Sequence, residues 1–314
     1  MTEETVAPHV VVAILTYRRP SELRRALTSL AEMEQSIPFD VLVVDNDADG
    51  SAKATVTVHS IDLDLRIRYV IEPKPGIAAA RNRAIDESAA YDFLCFIDDD
   101  EMVEPSWLPQ MIQTATEEQA DMVCGPVHSE FDAPPPRWAV LGRFYSDFSA
   151  PDKSLLSEGA TNNIAIRMHS LGKTRFDNEF GLSGGSDVLF TREMTARGAR
   201  LVWTEDARVF EMVPVSRTRK SWIIRRAVRG GGTHGRVELA LVSRRHDRRS
   251  VRFVAERVRV CGKGLARIAG GGLLIISHPR INTSPTGARG LRTLLRGVGM
   301  TGAAFDKYVV EYKR

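Results

Sequence analysis

The first half of the chain alternates between continuous apolar runs and segments with helical periodicity. Apolar runs end at Thr16, Asp45 and Asp98, and the run "RIRYVI" is followed by prolines and Gly76. Between them, "SELRRALTSLAEM" has leucines at helical spacing after Ser21, a candidate N-cap, and "IAAARNRAIDESA" is a strong helix former. Apolar strands that alternate with helices predict an α/β fold, a mostly parallel sheet with helices on both faces.

Polar residues follow these predicted strands. The carboxyl ends of parallel strands share one edge of an open sheet, where such folds bind ligands. We therefore expect Thr16, Asp45, Gly76 and residues 98–100 to meet at one edge. Two carboxylates roughly 4 Å apart repel by about 4 kcal/mol at an effective dielectric of about 20. The run of Asp98, Asp99 and Asp100 therefore needs a cation or open water, and its place at the shared edge favours a functional site.

The C-terminal part of the chain is basic and helical. Residues 217–296 contain 20 Lys and Arg against 3 Asp and Glu, although the whole chain has a net charge of only +3. We expect an α/β domain at 1–216 and a basic helical region at 217–314. This charge suggests an anionic partner, with a solvated helical surface as the alternative.

Three helices are predicted in the basic region. The first, "RKSWIIRRAVRGG", should be short and stop at the glycines 230–232. The second follows an apolar stripe from Val251 to Ile268, and the third should cover residues 288–312.

Composition sets few further limits. The 314 residues are 43% apolar and 26% charged, which is typical of a globular protein. The acidic N-terminus and the lack of a continuous apolar run of about 18 residues predict neither a signal peptide nor a spanning helix. The three scattered cysteines indicate buried thiols in a reducing cytosol.

Five motifs carry a family resemblance. In chain order they are "ILTYRRP", "VLVVDND", "EPKPGIAAARN", "FIDDDEMVEPSWL" and "GGSDVLFTREMTARG". Together they resemble the family 2 glycosyltransferases with the GT-A fold, especially the bacterial exopolysaccharide enzymes of the succinoglycan type. The resemblance covers about residues 8–230 and, more weakly, the tail "GVGMTGAAFDKYVVEY".

The resemblance implies a Rossmann-like GT-A sheet and a hexosyltransferase that inverts the anomeric carbon. It implies a nucleotide-sugar donor, commonly UDP-linked, a saccharide or lipid-linked acceptor, and Mn²⁺ or Mg²⁺ as cofactor. A divalent cation on both phosphates neutralises the leaving diphosphate. By the family pattern, Asp100 binds the metal, Asp98 faces the ribose and Asp99 assists at the same site. Glu101 would stabilise the following turn or the start of the next helix.

Other residues gain roles from the same resemblance. Asp45 is expected to accept a hydrogen bond from N3–H of uracil, with a turn cap as the alternative. Thr16 and Arg18 would lie beside the base and ribose, and Gly76 would allow close backbone approach. Arg81 would contact the nucleotide or brace the acidic turn, with a surface arginine as the alternative.

Two positions depart from the family pattern. A sugar hydroxyl can attack at neutral pH only when a base removes its proton. The family usually has a Glu-Asp pair for this at the start of a helix. This chain has Ser186 and then Asp187, so we predict Asp187 as the base, with a helix cap as the alternative. Where many relatives have a histidine, this chain has Glu211, which is either a further metal ligand or a partner of Arg217 or Arg219.

Two other functions fit the sequence less well. A sugar nucleotidyltransferase would need a glycine-rich loop after the first strand, and "TYRRPSEL" has no glycine. A nucleic-acid-binding protein would use the basic tail, but only Trp222 and Phe253 accompany its arginines, so we expect no nucleic-acid partner.

The expected location is the cytoplasm, peripheral on the inner face of the cell membrane. The basic region would then dock on anionic lipid. The alternative is that its apolar stripe packs on the catalytic domain or on a second subunit, which leaves a homo-oligomer open.

Overall fold

The structure is a computed structural model and describes residues 7–63, 65–145 and 148–309. Its strands are β1 (Val10–Thr16), β2 (Phe39–Asp45), β3 (Ile67–Ile71), β4 (Phe93–Asp98), β5 (Glu101–Val103), β6 (Met122–Cys124), β7 (Val127–Phe131), β8 (Leu155–Leu156), β9 (Asn163–Arg167), β10 (Leu201–Trp203) and β11 (Val209–Val213). Its helices are α1 (Pro20–Ala31), α2 (Lys53–Asp62), α3 (Ile77–Glu87), α4 (Trp107–Glu117), α5 (Arg137–Leu141), α6 (Met168–Leu171), α7 (Ser186–Ala196), α8 (Lys220–Ser243), α9 (Val251–Ser277) and α10 (Pro285–Ala303).

The chain divides into two compact units. The first unit comprises residues 1–128, 147–181 and 186–211, and the second comprises residues 129–146, 182–185 and 212–314. Each unit therefore contains more than one segment of the chain. The division into domains at 1–216 and 217–314 stays a prediction.

The first unit is built on a mostly parallel sheet with the strand order β3-β2-β1-β4-β9-β6-β10-β8. Strands β3, β2, β1 and β4 are parallel, and β9 runs antiparallel to β4 and β6. Alternate residues of β1 face opposite sides: Ile14 packs in a cluster with Leu27 of α1, and Ala13 packs in another with Ala80 of α3. The predicted mostly parallel sheet with helices on both faces is confirmed.

The start of α1 differs from the prediction. The helix begins at Pro20, and the N-cap is Arg19, which makes no side-chain capping bond. Ser21 therefore lies inside the first turn, and its assignment as the N-cap is wrong. Proline suits the first helical position because its fixed φ is helical and its missing N–H would be unsatisfied there in any case.

In the second unit, α8 does not stop at its glycines. The helix runs on to Ser243, so the prediction of a short helix ending at residues 230–232 is wrong. The glycines allow α8 and α10 to approach at the backbone: a Cβ on Gly231 would lie 1.9 Å from the Arg296 carbonyl oxygen. This close packing outweighs the poor helix propensity of glycine.

The stripe from Val251 to Ile268 forms a helix, as predicted, and α9 continues to Ser277. The helix α9 buries Phe253 and Val260 against α10, whereas Val251, at the start of the predicted stripe, is 85% exposed. The last helix, α10, ends at Ala303, short of the predicted residue 312, and residues 310–314 lie outside the described residues.

By length and composition, α9 is the single helix in the described ranges that is long and apolar enough to cross a membrane, and 17% of its apolar window is buried. The helix contains no uninterrupted run of about 18 apolar residues, because it mixes apolar residues with glycines and a few basic residues, so the sequence did not predict it as a spanning segment. That α9 does not span a membrane stays a prediction.

Two neighbouring glycines of α8 give a matched test of this packing. At Gly230 an added Cβ meets no atom within 4 Å. Alanine is favoured over glycine inside a helix by roughly 1 kcal/mol, so Gly230→Ala should raise the free energy of unfolding. At Gly231 the same methyl group collides with α10, and overpacking costs about 1–3 kcal/mol, so Gly231→Ala should lower it. Urea unfolding followed by circular dichroism measures both. Shifts of the same sign would contradict the packing of α8 on α10.

Candidate active site

The strand register brings the predicted polar residues to one edge of the sheet. Thr16 is the register partner of Asp45, and Leu15 is the partner of Asp98. The Thr16 hydroxyl donates a hydrogen bond to Asp99 Oδ2 at 2.8 Å. The end of β1 is therefore tied directly to the acidic turn that follows β4.

Glu101 closes the acidic turn. It is 1% exposed, and its carboxylate accepts hydrogen bonds from the backbone N–H of Asp98 (2.7 Å) and the side-chain amide of Asn162 (2.9 Å). On the antiparallel strand β11, Glu211 is the register partner of Glu101. The structure thus places Glu211 beside the turn.

The carboxylates of this turn repel one another. Burial first, and then the charges of Asp100, Asp99 and Glu211, raise the pKa of Asp98 to about 7. Burial is also the main cause that raises the pKa of Asp99 to about 6. The pKa of Glu101 lies well above its ordinary value, through burial and then the charge of Asp98. Each negative charge here disfavours the ionisation of the next.

Arg19 supplies a cation to this turn. Its Nη1 lies 2.9 Å from Asp99 Oδ1 and 3.1 Å from Asp100 Oδ2. Arg19 was not among the residues predicted from the sequence. The available signal was its position in the short loop between β1 and α1, next to Arg18.

Arg81 is a second cation near the turn. It is buried in α3, so it is not a surface residue, and its charge lowers the pKa of Asp98. Its Nη1 donates to the hydroxyl of Ser186 at 2.8 Å, and its guanidinium lies 5.5 Å from the ring centre of Phe176. Arg81 therefore links α3 to the first residue of α7.

Asp187 lies in the first turn of α7. Its Oδ1 accepts a hydrogen bond from the backbone N–H of Val188 at 2.9 Å. After burial, the charge of Asp187 contributes to raising the pKa of Cys124, at the end of β6, to about 12. Asp187 therefore lies near the end of another central strand. Its role as the base stays a prediction.

Asp45 is buried and caps the loop that follows β2. Its carboxylate accepts hydrogen bonds from the backbone N–H groups of Asp47 (3.0 Å) and Ala52 (2.7 Å) and from the hydroxyl of Tyr69 (2.8 Å). This geometry is that of a turn cap, the alternative role expected for Asp45. The uracil contact stays a prediction.

Arg18 and Gly76 belong to the same side of the edge as Asp45. Arg18 Nε lies 2.8 Å from Asp47 Oδ2, and the Arg18 side chain is 58% exposed. Gly76 has φ +120° and donates its N–H to Asn46 Oδ1 at 3.0 Å. Sequence reasoning missed Asn46 and Asp47, whose signal was their position directly after Asp45.

A divalent metal fits the donor chemistry of the acidic turn. Among residues 7–63, 65–145 and 148–309, no group of three or more His, Cys, Asp or Glu is arranged to hold a metal ion. Mg²⁺, however, is usually bound through one or two carboxylates together with substrate phosphates. Asp98, Asp100 and Glu211 offer such oxygens, and their mutual repulsion is what a divalent cation would relieve.

Comparisons with known proteins show the family of the chain. The family model "Glycosyl transferase family 2" matches residues 11–180. The succinoglycan biosynthesis protein ExoM of Rhizobium meliloti (strain 1021) is 38% identical over 241 residues, which are 76% of this chain and 77% of ExoM.

Two solved structures share the fold. S. aureus TarS 1–349 aligns with TM-score 0.50 and 16% identity over 96% of this chain and 92% of that one. GalNAc-T7, solved with UDP, GalNAc and Mn²⁺, aligns with TM-score 0.54 and 12% identity over 74% of this chain and 48% of that one.

The mostly parallel sheet with helices on both faces is the GT-A fold. The chain belongs to glycosyltransferase family 2 and is a glycosyltransferase. The predicted family resemblance is confirmed.

Proposed function

We propose that the protein transfers a hexose from a UDP-linked donor to a saccharide or lipid-linked acceptor, with inversion, in exopolysaccharide biosynthesis. The observation that carries the proposal is the buried acidic turn at residues 98–101, tied to Thr16 and placed beside Glu211. Family membership supports the reaction class, and the name of ExoM supports the pathway.

In this proposal Asp100 and Glu211 are the protein ligands of Mn²⁺ or Mg²⁺. When bound, the ion supplies charge neutralisation for the leaving diphosphate. Asp98 faces the ribose, and Asp99 assists by fixing the turn through its contacts with Thr16 and Arg19. Arg19 also contacts Asp100, so it orients the two adjacent carboxylates.

The donor site extends along the edge through Thr16, Arg18, Gly76 and Arg81. Asp45 is the proposed acceptor for N3–H of uracil. A carboxylate has about four acceptor positions, and Asp45 uses three, so one remains. Because Asp45 is fully buried, access to that position requires movement of the loop at 46–52.

Asp187 is the proposed base. It removes the proton from the acceptor hydroxyl while that oxygen attacks the anomeric carbon, opposite to the leaving diphosphate, so a single displacement inverts the centre. Arg81 holds the neighbouring Ser186 and thereby positions the start of α7. This contact supports a fixed place for Asp187.

We also propose that the enzyme is cytoplasmic and binds the inner face of the membrane through α9. Residues 217–296 have a local net charge of +17. The exposed apolar side chains of α9 include Val258 and Ile276. A helix with exposed apolar residues and arginines can lie in the membrane interface. A homo-oligomer that covers the same residues is the alternative, and no nucleic-acid partner is proposed.

Removal of the metal tests the first part of the proposal. Excess chelator should abolish transfer, and Asp100→Ala should weaken Mn²⁺-dependent UDP binding in calorimetry, because a ligand of the ion is lost. Asp86→Ala, at a surface carboxylate paired with Arg175, is the control and should leave binding unchanged. Full activity in excess chelator would remove the metal from the mechanism.

The base is tested by Asp187→Asn. The amide oxygen can still accept from Val188 N–H, so the helix start should be preserved, but the side chain can no longer take a proton. Turnover should fall by roughly 10²–10⁴-fold with UDP binding nearly unchanged. A loss below about threefold, far smaller than general base catalysis supplies, would make Asp187 a structural cap.

Membrane binding is tested by sedimentation with vesicles. Binding should rise with anionic lipid and fall with salt, since exposed charges are screened over about 8 Å at physiological ionic strength. Ile276→Asp on α9 should weaken binding, whereas Ile61→Asp on α2 should not; the two side chains are 77% and 78% exposed. Binding that is absent at low salt, or indifferent to lipid charge, would assign α9 to a subunit or domain interface.

A further inference from the structure

Four arginines of the second unit converge on one surface. Arg289, Arg292 and Arg296 are spaced three and four residues apart on α10, so they share one helix face with about 5–6 Å between neighbouring Cβ atoms. Arg143 follows α5. Its backbone carbonyl oxygen accepts a hydrogen bond from Arg292 Nη1, and its charge acts on Arg292. We call these residues the arginine cluster.

The backbone that carries the arginine cluster is fixed by packing. Leu291 of α10 lies in a hydrophobic cluster with Trp138 of α5 and Ile223 of α8. A Cβ on Gly142 would lie 2.9 Å from the Ala288 carbonyl oxygen, so the α5 turn sits directly on α10. The junction therefore holds Arg143 in place beside the helix.

The conformation of Arg143 is consistent with that constraint. Its φ is +55°, in the left-handed region, which costs a non-glycine residue about 1–3 kcal/mol and persists only where the surroundings impose it. Such strain is concentrated at binding and catalytic sites.

The arginine cluster concentrates positive charge. The segments that carry it, residues 133–145 and 257–305, contain no Asp or Glu, and Asp132 and Asp147 flank the first of them in the sequence. Arg292 is half-buried, and burial together with the charges of Arg296, Arg143 and Arg289 lowers its pKa. The guanidinium groups repel one another, and an anion bound among them would relieve that repulsion.

We propose that Arg143, Arg289, Arg292 and Arg296 form a binding site for a terminal phosphate or diphosphate group. Guanidinium groups bind phosphate oxygens through paired hydrogen bonds, which a lysine cannot reproduce. Two sources have this chemistry: a phospholipid headgroup, and the phosphate that joins a saccharide acceptor to its lipid. The second source rests on the proposed function, and the site itself does not.

Calorimetry with inorganic pyrophosphate tests the site directly. Chelator is present throughout, so that no metal ion holds pyrophosphate at the acidic turn. The wild type should bind pyrophosphate at about 0.15 M salt, where long-range attraction is screened. The double variant Arg289→Gln/Arg292→Gln should bind at least about tenfold more weakly, since a hydrogen bond to a charged group is lost with each arginine.

Two further variants separate a built site from general positive charge. Arg252→Gln/Arg259→Gln removes the same charge from exposed positions of α9 and should stay within about twofold of the wild type, because it removes no direct phosphate contact. Arg292→Lys keeps the charge but loses the paired hydrogen bonds, so it should also bind more weakly. Equal losses in the two double variants, or no pyrophosphate binding by the wild type, would overturn the proposal.

Vesicles of matched surface potential identify the source of the phosphate. One set contains phosphatidic acid, whose phosphate is terminal, and the other contains phosphatidylserine, whose phosphate is a diester. Preference for phosphatidic acid that the Arg289→Gln/Arg292→Gln variant loses would assign the site to a lipid headgroup. Pyrophosphate binding without that preference would assign it to the diphosphate of an acceptor. UDP binding with Mn²⁺, measured separately on the wild type, tests the donor site. If UDP does not bind, the proposed function fails, but the pyrophosphate result for the arginine cluster still stands.

Discussion

Burial of neighbouring carboxylates is the constraint on which the first unit depends. Ionised groups lose several kcal/mol of hydration when they are buried, and the cost is offset only by close partners. Asp99 and Glu101 are both almost fully buried. Their partners come from separate parts of the chain: a hydroxyl at the end of β1, a guanidinium in the next loop, and an amide just before β9. The acidic turn therefore joins these elements as well as forming the edge of the sheet.

The same constraint accounts for the two buried or half-buried arginines around the turn. Arg19 contacts the carboxylates directly, whereas Arg81 acts on Asp98 through its charge and holds Ser186 at the start of α7. These two positive charges do not offset burial and the neighbouring carboxylates, because the pKa of Asp98 still lies near 7. A divalent cation would relieve the repulsion among the carboxylates, which is why the proposed mechanism assigns the ion to this turn.

The sequence predicts what is local and misses what depends on tertiary partners. Continuous apolar runs define β1, β2 and β4, and since parallel strands end together, Thr16, Asp45 and the acidic run were expected at one edge. The contact of Arg19 with Asp99 joins residues 80 positions apart, and no local pattern specifies which of two adjacent arginines makes it. The pairing of Glu101 with Glu211 depends on a strand of three residues, too short to show periodicity. For Asp45, a strand-end carboxylate looks the same in sequence whether it binds a ligand or caps a loop.

The helices of the second unit show how packing and surface are coupled. Glycine carbonyl and backbone contacts, rather than large side chains, form much of the interface of α8 and α9 with α10: a Cβ on Gly271 would lie 2.6 Å from the Gly290 carbonyl oxygen. A helix that buries its glycine face has few positions left inside for large apolar residues, so α9 leaves Val251, Val258 and Ile276 in contact with water. Burial of apolar surface is worth about 25 cal/mol per Å², so covering these side chains would be favourable. The exposed apolar residues here accompany a strongly basic segment, and a lipid bilayer with an anionic surface would suit both. This combination supports the proposed membrane contact of α9 over the alternative contact with a second copy of a basic helix.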